Sequence, residues 1–200
     1  MAADKESLFI YAVMGFVLLV CLKVYSESDA FNLKCIISEV DGQKYCVRER
    51  TKLQPAADLL AKVIQRCQKL VEYMGQTHSG DLRVQRLVQK FNPSKVSETL
   101  PTSEFTAYTE NKGEKMAFCL NKNKESNAHL IDEQTLTFVA LHELAHIMTE
   151  SEGHLQDYWH NFKFILENAK AANIYNPVDY KKDPVDYCGM TISDNPYFDM

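Results

Sequence analysis

His142-Glu143-Leu144-Ala145-His146 sets two imidazoles four positions apart, and on a helix residues so spaced lie one above the other on a single face. Two neutral imidazole nitrogens on one face can share one metal ion. Zn²⁺ takes such nitrogens, keeps one position open for water in its catalytic sites, and brings the pKa of that water towards neutrality. Glu143, next to the first histidine, then stands where a general base is needed to act on the metal-activated water. Chance alone would produce the pentapeptide in about one chain in a hundred of this composition, so the surrounding residues must carry the rest of the argument.

Catalytic zinc requires a third protein ligand. His154 follows His146 by eight positions, across a loop in which Gly153 permits a tight reversal, so the chain can return and present a third imidazole to the same ion. The rival is Glu167, 21 positions beyond His146. Its surroundings lack the asparagine three before and the aspartate four after that accompany a glutamate ligand in zinc proteases of that kind, so His154 is preferred. His78, His129 and His160 have no comparable spacing and are expected at the surface. Tyr187 and Met190 allow two readings: a methionine turn beneath a metal with a tyrosine polarising the substrate, or ordinary packing near the C-terminus, which is the plainer one.

The elements that must position these residues follow from hydrophobic spacing. A helix should start near Asp132, a good N-cap, and run through Leu136, Val139, Ala140, Leu144 and Ile147, apolar on nearly every face as a core-crossing helix is. Ser151 to Gly153 breaks it, and His154 opens a second helix with Leu155, Trp159, Phe162, Leu166 and Ala169 as a stripe. Trp159 and Phe162 read as core residues. Upstream, Pro55 to Met74 repeats apolar residues at helical spacing with Gly75 at its end, and a second amphipathic segment runs from about Asp81 to Phe91. Phe31 to Ser38 and Gln43 to Arg48 read as strands around Asp41-Gly42, and Thr106 to Glu110 and Lys115 to Leu120 as strands around Asn111-Lys112-Gly113.

Composition bounds the rest. Two hundred residues with 46% hydrophobic and 24% charged content describe one globular domain. A net charge of -5 with no basic block argues against a direct nucleic-acid surface; Arg48 with Arg50, and Lys181-Lys182, read as solvated. Six cysteines without a CxxC pair indicate neither a cysteine zinc site nor a disulfide framework, so a reducing compartment is the simpler expectation. With Asp41-Gly42 as a two-residue turn, Cys35 would face Arg48 and Cys46 would face Ile37. The two cysteines would then be diagonal neighbours about 7 Å apart, too far for a relaxed bridge unless the loop register differs.

Leu8 to Leu22 is uncharged and, with Lys23 snorkelling, extends to Tyr25, the lower limit for spanning a bilayer. The expectation is an uncleaved single-pass anchor over residues 1–25, a linker over 26–30 and a main domain over 31–200. A cleaved signal peptide is the rival, and the flanking lysines tilt the large domain slightly towards the cytosol.

Leu141-His142-Glu143-Leu144-Ala145-His146, then Gly153-His154, Tyr158-Trp159 and Phe162, resembles the signature of the WLM metallopeptidases, relatives of the SprT and Spartan proteases that degrade proteins crosslinked to DNA. The hairpin with Tyr108, Lys112 and Cys119-Leu120-Asn121, and the tail from Tyr180 to Ser193, look like membrane-anchored WLM-like proteins of large DNA viruses. The resemblance covers roughly residues 30 to 195. It implies zinc on His142, His146 and His154, a catalytic Glu143, and a compact α+β zincin-like fold with an active-site helix and short antiparallel hairpins, whose strand edge holds an extended peptide. The loop before the third histidine is seven residues long and no DNA-binding or ubiquitin-family-binding tail is visible, so the crosslink substrate is not carried over.

The expected activity is zinc-dependent hydrolysis of a protein or peptide substrate, tethered to a membrane, with Lys115 to Leu120 pairing with substrate backbone. The alternative is a membrane-anchored, zinc-stabilised interaction module without turnover. Nothing in the sequence sets an oligomeric state.

Overall fold

The two longest elements of this chain are helices of different character: one is a continuous apolar run, and the other repeats apolar residues every three or four positions. The computed structural model describes residues 5–27, 33–124 and 129–199. They divide into two units, Met1–Asn32 and Leu33–Met200.

The first unit holds helix α1 (Lys5–Glu27), whose large apolar side chains from Phe9 to Tyr25 are exposed. Among the described residues no helix is long and apolar enough to cross a membrane. This overturns the expected transmembrane anchor and single-pass membrane localisation. The uncharged run from Leu8 to Leu22 rises only about 22 Å as a helix, against a hydrocarbon core of about 30 Å, and extending it requires passing Lys23. Most of the expected linker, residues 28–30, lies outside the described residues.

The second unit is mixed α and β. Helix α2 (Leu53–Thr77) buries Ala57, Leu60, Val63, Ile64, Cys67, Leu70, Val71 and Met74 along one side. It continues through Gly75, which had read as its end. After α3 (Leu82–Lys90), N-capped by the Asp81 side chain, come β3 (Val96–Glu98), β4 (Ala107–Glu110), β5 (Lys115–Phe118), α4 (Glu133–Met148) and α5 (Gln156–Ala171). The tail forms a small hairpin, β6 (Val185–Tyr187) and β7 (Met190–Ile192), and a short α6 (Pro196–Asp199). The N-terminal hairpin, β1 (Leu33–Ile37) and β2 (Lys44–Arg48), joins the main sheet in the order β1-β2-β3-β5-β4.

That sheet is not the purely antiparallel one expected. β3 inserts between the two hairpins and pairs in parallel with β2 and with β5. Three residues carry too little alternation to be recognised in sequence, and the α2–α3 crossover delivers them pointing the same way as β2. The insertion also moves the free edge. β5 is paired on both sides, so it cannot receive a substrate strand as anticipated; the open edge beside α4 belongs to β4.

The first hairpin also has a different register. Its loop runs from Ser38 to Gln43, closed by Ser38 N–H to the Gln43 carbonyl, and Cys35 stands directly opposite Cys46. The two form a disulfide, and a second joins Cys119 to Cys188 across 69 positions. Four of the six cysteines are thus bridged, against the reducing-compartment expectation. Arg48 and Arg50 are likewise not surface residues: they are 2% and 9% exposed, and both engage buried Glu98. The Glu98 carboxylate also accepts the Arg48 backbone N–H at 2.8 Å, while Arg48 donates to the Thr99, Leu100 and Lys124 carbonyls. Charges placed so deep persist only when every donor has an acceptor.

Candidate metal centre

α4 crosses the core, and its sequence explains how. Asp132 caps it, one carboxylate oxygen accepting Thr135 N–H at 2.8 Å and the other the Thr135 hydroxyl at 2.8 Å. Twelve of its sixteen residues are buried, including Leu136, Leu141, Leu144 and Ile147, with α2, α5, α3 and β4 packed around it. Truncating one such leucine to alanine costs about 2–5 kcal/mol, so the helix axis is firmly held. His142 and His146, one turn apart, are half-buried and share the face left between α5 and the sheet.

The chain leaves α4 at Thr149, whose hydroxyl donates to the Ala145 carbonyl at 2.7 Å, and reverses at Gly153 with φ of 77°. This brings His154 back over the pair. α5 begins two residues later, so His154 lies in the loop and does not open the helix. Its Nε2 is 3.1 Å from His142 Nε2 and 3.2 Å from His146 Nε2. Tetrahedral Zn²⁺ with Zn–N distances near 2.05 Å needs donors about 3.3 Å apart, which both separations from His154 approach, and all three ligand atoms lie within 4.8 Å of one another. Glu167, the rival ligand, is exposed on α5 and outside this cluster.

Burial is the first reason that the histidines stay neutral. It lowers His142 to about 3 and His146 to about 4, with the neighbouring imidazoles adding to the effect, and it lowers His154 as well. Neutral imidazole is the form that donates to a metal. Tyr158, fully buried, lies under all three rings with centroids 5.2, 4.4 and 4.6 Å from His142, His146 and His154. Its hydroxyl donates to the His142 carbonyl at 3.3 Å. Trp159, which read as core, is 38% exposed and stacks on His154 at 5.7 Å.

Glu143 is 4% exposed, and burial raises its carboxyl to about 7. The Thr109 hydroxyl on β4 donates to its Oε2 at 2.9 Å, working the other way. Lys112, at the tip of the β4–β5 hairpin, donates to the Ser151 carbonyl at 2.7 Å and so ties that hairpin to the loop carrying His154. Thr109, Lys112 and Tyr158 were not singled out as site residues from sequence. Thr109 and Lys112 reach the site by tertiary packing, whereas Tyr158 follows His154 by four positions and stands in the quoted signature.

The other candidates are placed elsewhere. His129 and His160 are exposed; His78 is half-buried and pairs with Asn168 Oδ1 at 2.8 Å between α2 and α5. Tyr187 is 2% exposed with its hydroxyl on the Thr106 carbonyl at 3.1 Å, and Met190 is half exposed against Thr106. Neither joins the histidine cluster.

No family model matches the chain, and no solved structure matches it. It is 26% identical over 188 residues to Uncharacterized protein R325 of Acanthamoeba polyphaga mimivirus, covering 92% of each chain. It is 34% identical over 70 residues to Uncharacterized protein 136R of Invertebrate iridescent virus 6, covering 35% of this chain and 39% of that one. The similarity is to proteins of large DNA viruses, which supports a viral origin for the chain.

Proposed function

We propose that this chain is a zinc-dependent metallopeptidase of the WLM type, with His142, His146 and His154 holding the ion and Glu143 as general base. The observation that carries the reading is the convergence of three Nε2 atoms, 3.1–3.2 Å from His154 to each partner, beside a buried carboxylate. A zinc ion bound there supplies Lewis-acid polarisation of a substrate carbonyl and acidifies water at the site.

The chain's own residues do the rest. Glu143 takes the proton from the attacking water and returns it to the leaving amine, and Thr109 holds the carboxylate in the orientation both transfers need. The free edge of β4 hydrogen-bonds an extended substrate backbone by strand addition. Tyr158 and Trp159 fix the imidazole planes. A zinc-stabilised interaction module without turnover has less support, because three ligands leave a coordination position open and a purely structural site has no use for Glu143.

The test uses the full chain reconstituted with zinc and an unstructured protein as substrate. Wild type should bind one zinc and cleave. Glu143→Gln should keep the metal and lose cleavage, whereas His154→Ala should weaken the metal. Failure of wild type to bind zinc would sink the proposal.

A further inference from the structure

β4 pairs with β5 on one side and, among the described residues, with no strand on the other, yet in the proposed reading it holds both Glu143, through Thr109, and the incoming substrate. At the tip of its hairpin Lys112 provides an anchor. At its base the support comes from the far end of the chain. The carbonyl of Thr106, the residue before β4, accepts Cys119 N–H at 2.7 Å and the Tyr187 hydroxyl at 3.1 Å. Tyr187 ends β6, and Cys188 and Gly189 make the turn to β7 with φ of 50° and 81°. That turn docks on the segment after β5: Cys188 N–H donates to the Asn121 carbonyl at 2.9 Å, Gly189 N–H to the Lys122 carbonyl at 2.8 Å, and Cys188 is bonded to Cys119. Two three-residue strands are too small to stay docked alone, so the cross-link fixes where the Tyr187 hydroxyl points.

We infer that Tyr187, held by the Cys119–Cys188 disulfide, is a positioning residue for the proposed hydrolytic site: it fixes the base of β4, and through it the substrate-binding edge and the Thr109 contact to Glu143. This rests on the metallopeptidase reading, which assigns β4 and Glu143 their roles. It differs from a catalytic role for Tyr187, since its hydroxyl is committed to a backbone carbonyl.

The test compares the full-length wild type with Tyr187→Phe, with Cys119→Ser/Cys188→Ser, and with Cys35→Ser/Cys46→Ser as a control that removes the other bridge. Three quantities are read: the visible absorption of Co²⁺ at the histidines, KM and kcat on an unstructured protein, and amide hydrogen exchange over residues 106–110. Loss of one hydrogen bond to a buried carbonyl predicts exchange about five-fold faster for Tyr187→Phe, with KM raised by a similar factor. The 119/188 double variant should exceed that, and the Co²⁺ spectrum should be unchanged in both. The 35/46 control should leave KM and β4 exchange unmoved. Unchanged KM and exchange in folded Tyr187→Phe and 119/188 variants would overturn the inference, and if the double variant does not fold, Tyr187→Phe decides alone. A wild type that binds no Co²⁺ and cleaves nothing overturns the metallopeptidase reading instead, while the exchange of β4 still decides whether Tyr187 fixes that strand.

Discussion

Two glycines with positive φ allow the packing of the β4–β5 hairpin to be tested against its own control. Gly113 has φ of 116°, and a Cβ there would lie 2.4 Å from the Lys90 carbonyl oxygen, 2.9 Å from its carbon and 3.2 Å from Ile147 Cγ2. Gly42 has φ of 69° with nothing within 4 Å of the same added atom. Gly42→Ala therefore carries only the left-handed backbone strain of an L residue, about 1–2 kcal/mol. Gly113→Ala carries comparable strain plus a contact that backbone must relieve by moving, which adds about 1–3 kcal/mol, for about 2–5 in all. The movement takes the hairpin away from the end of α3 and from α4, so the Thr109 contact to Glu143 loosens as well. Urea unfolding of the two variants should show midpoints separated in that order, and only Gly113→Ala should lose cleavage of an unstructured protein under conditions where it is still folded. Equal destabilisation of the two, or a milder effect at Gly113, would refute the claim that the hairpin is wedged against α3 and α4.

Three further outcomes are expected. Glu98→Ala leaves Arg48 and Arg50 buried without their carboxylate and should cost about 3–5 kcal/mol in chemical denaturation, far more than a surface charge deletion. Thr109→Val keeps the shape but removes the hydroxyl that donates to Glu143, so turnover should fall about ten-fold while zinc content, read by elemental analysis, stays at wild type. Asp58 accepts from Ser38 Oγ, Glu39 N–H and Gln54 Nε2; burial pushes its carboxyl up, but these donors outweigh it and hold the pKa below the usual value. Its stabilisation is therefore present above about pH 4 and lost as pH falls through the lowered folded value, so Asp58→Asn should unfold more easily than wild type at pH 7 and converge with it in acid.

What the residues determined by themselves is the short-range part of the site. A four-residue interval on a helix, a capping aspartate at 132 and a glycine at 153 suffice to place His142, His146 and His154 together, because each depends on local backbone geometry. The amphipathic helices α2 and α3 were legible because their apolar residues repeat every three or four positions. Tertiary structure alone decided what crosses the chain. β3 has no periodic signal, yet its insertion makes β4 the free edge. The Cys35–Cys46 pairing turned on a loop length that Asp41-Gly42 does not specify, and Arg48 and Arg50 look like solvent residues until Glu98, about fifty positions away, is brought between them. Thr109 and Lys112 reach the site only because the hairpin packs on α4. Local spacing fixes which atoms can face one another on one element; which elements meet is set by burial of the whole core, and no interval within a single segment records that.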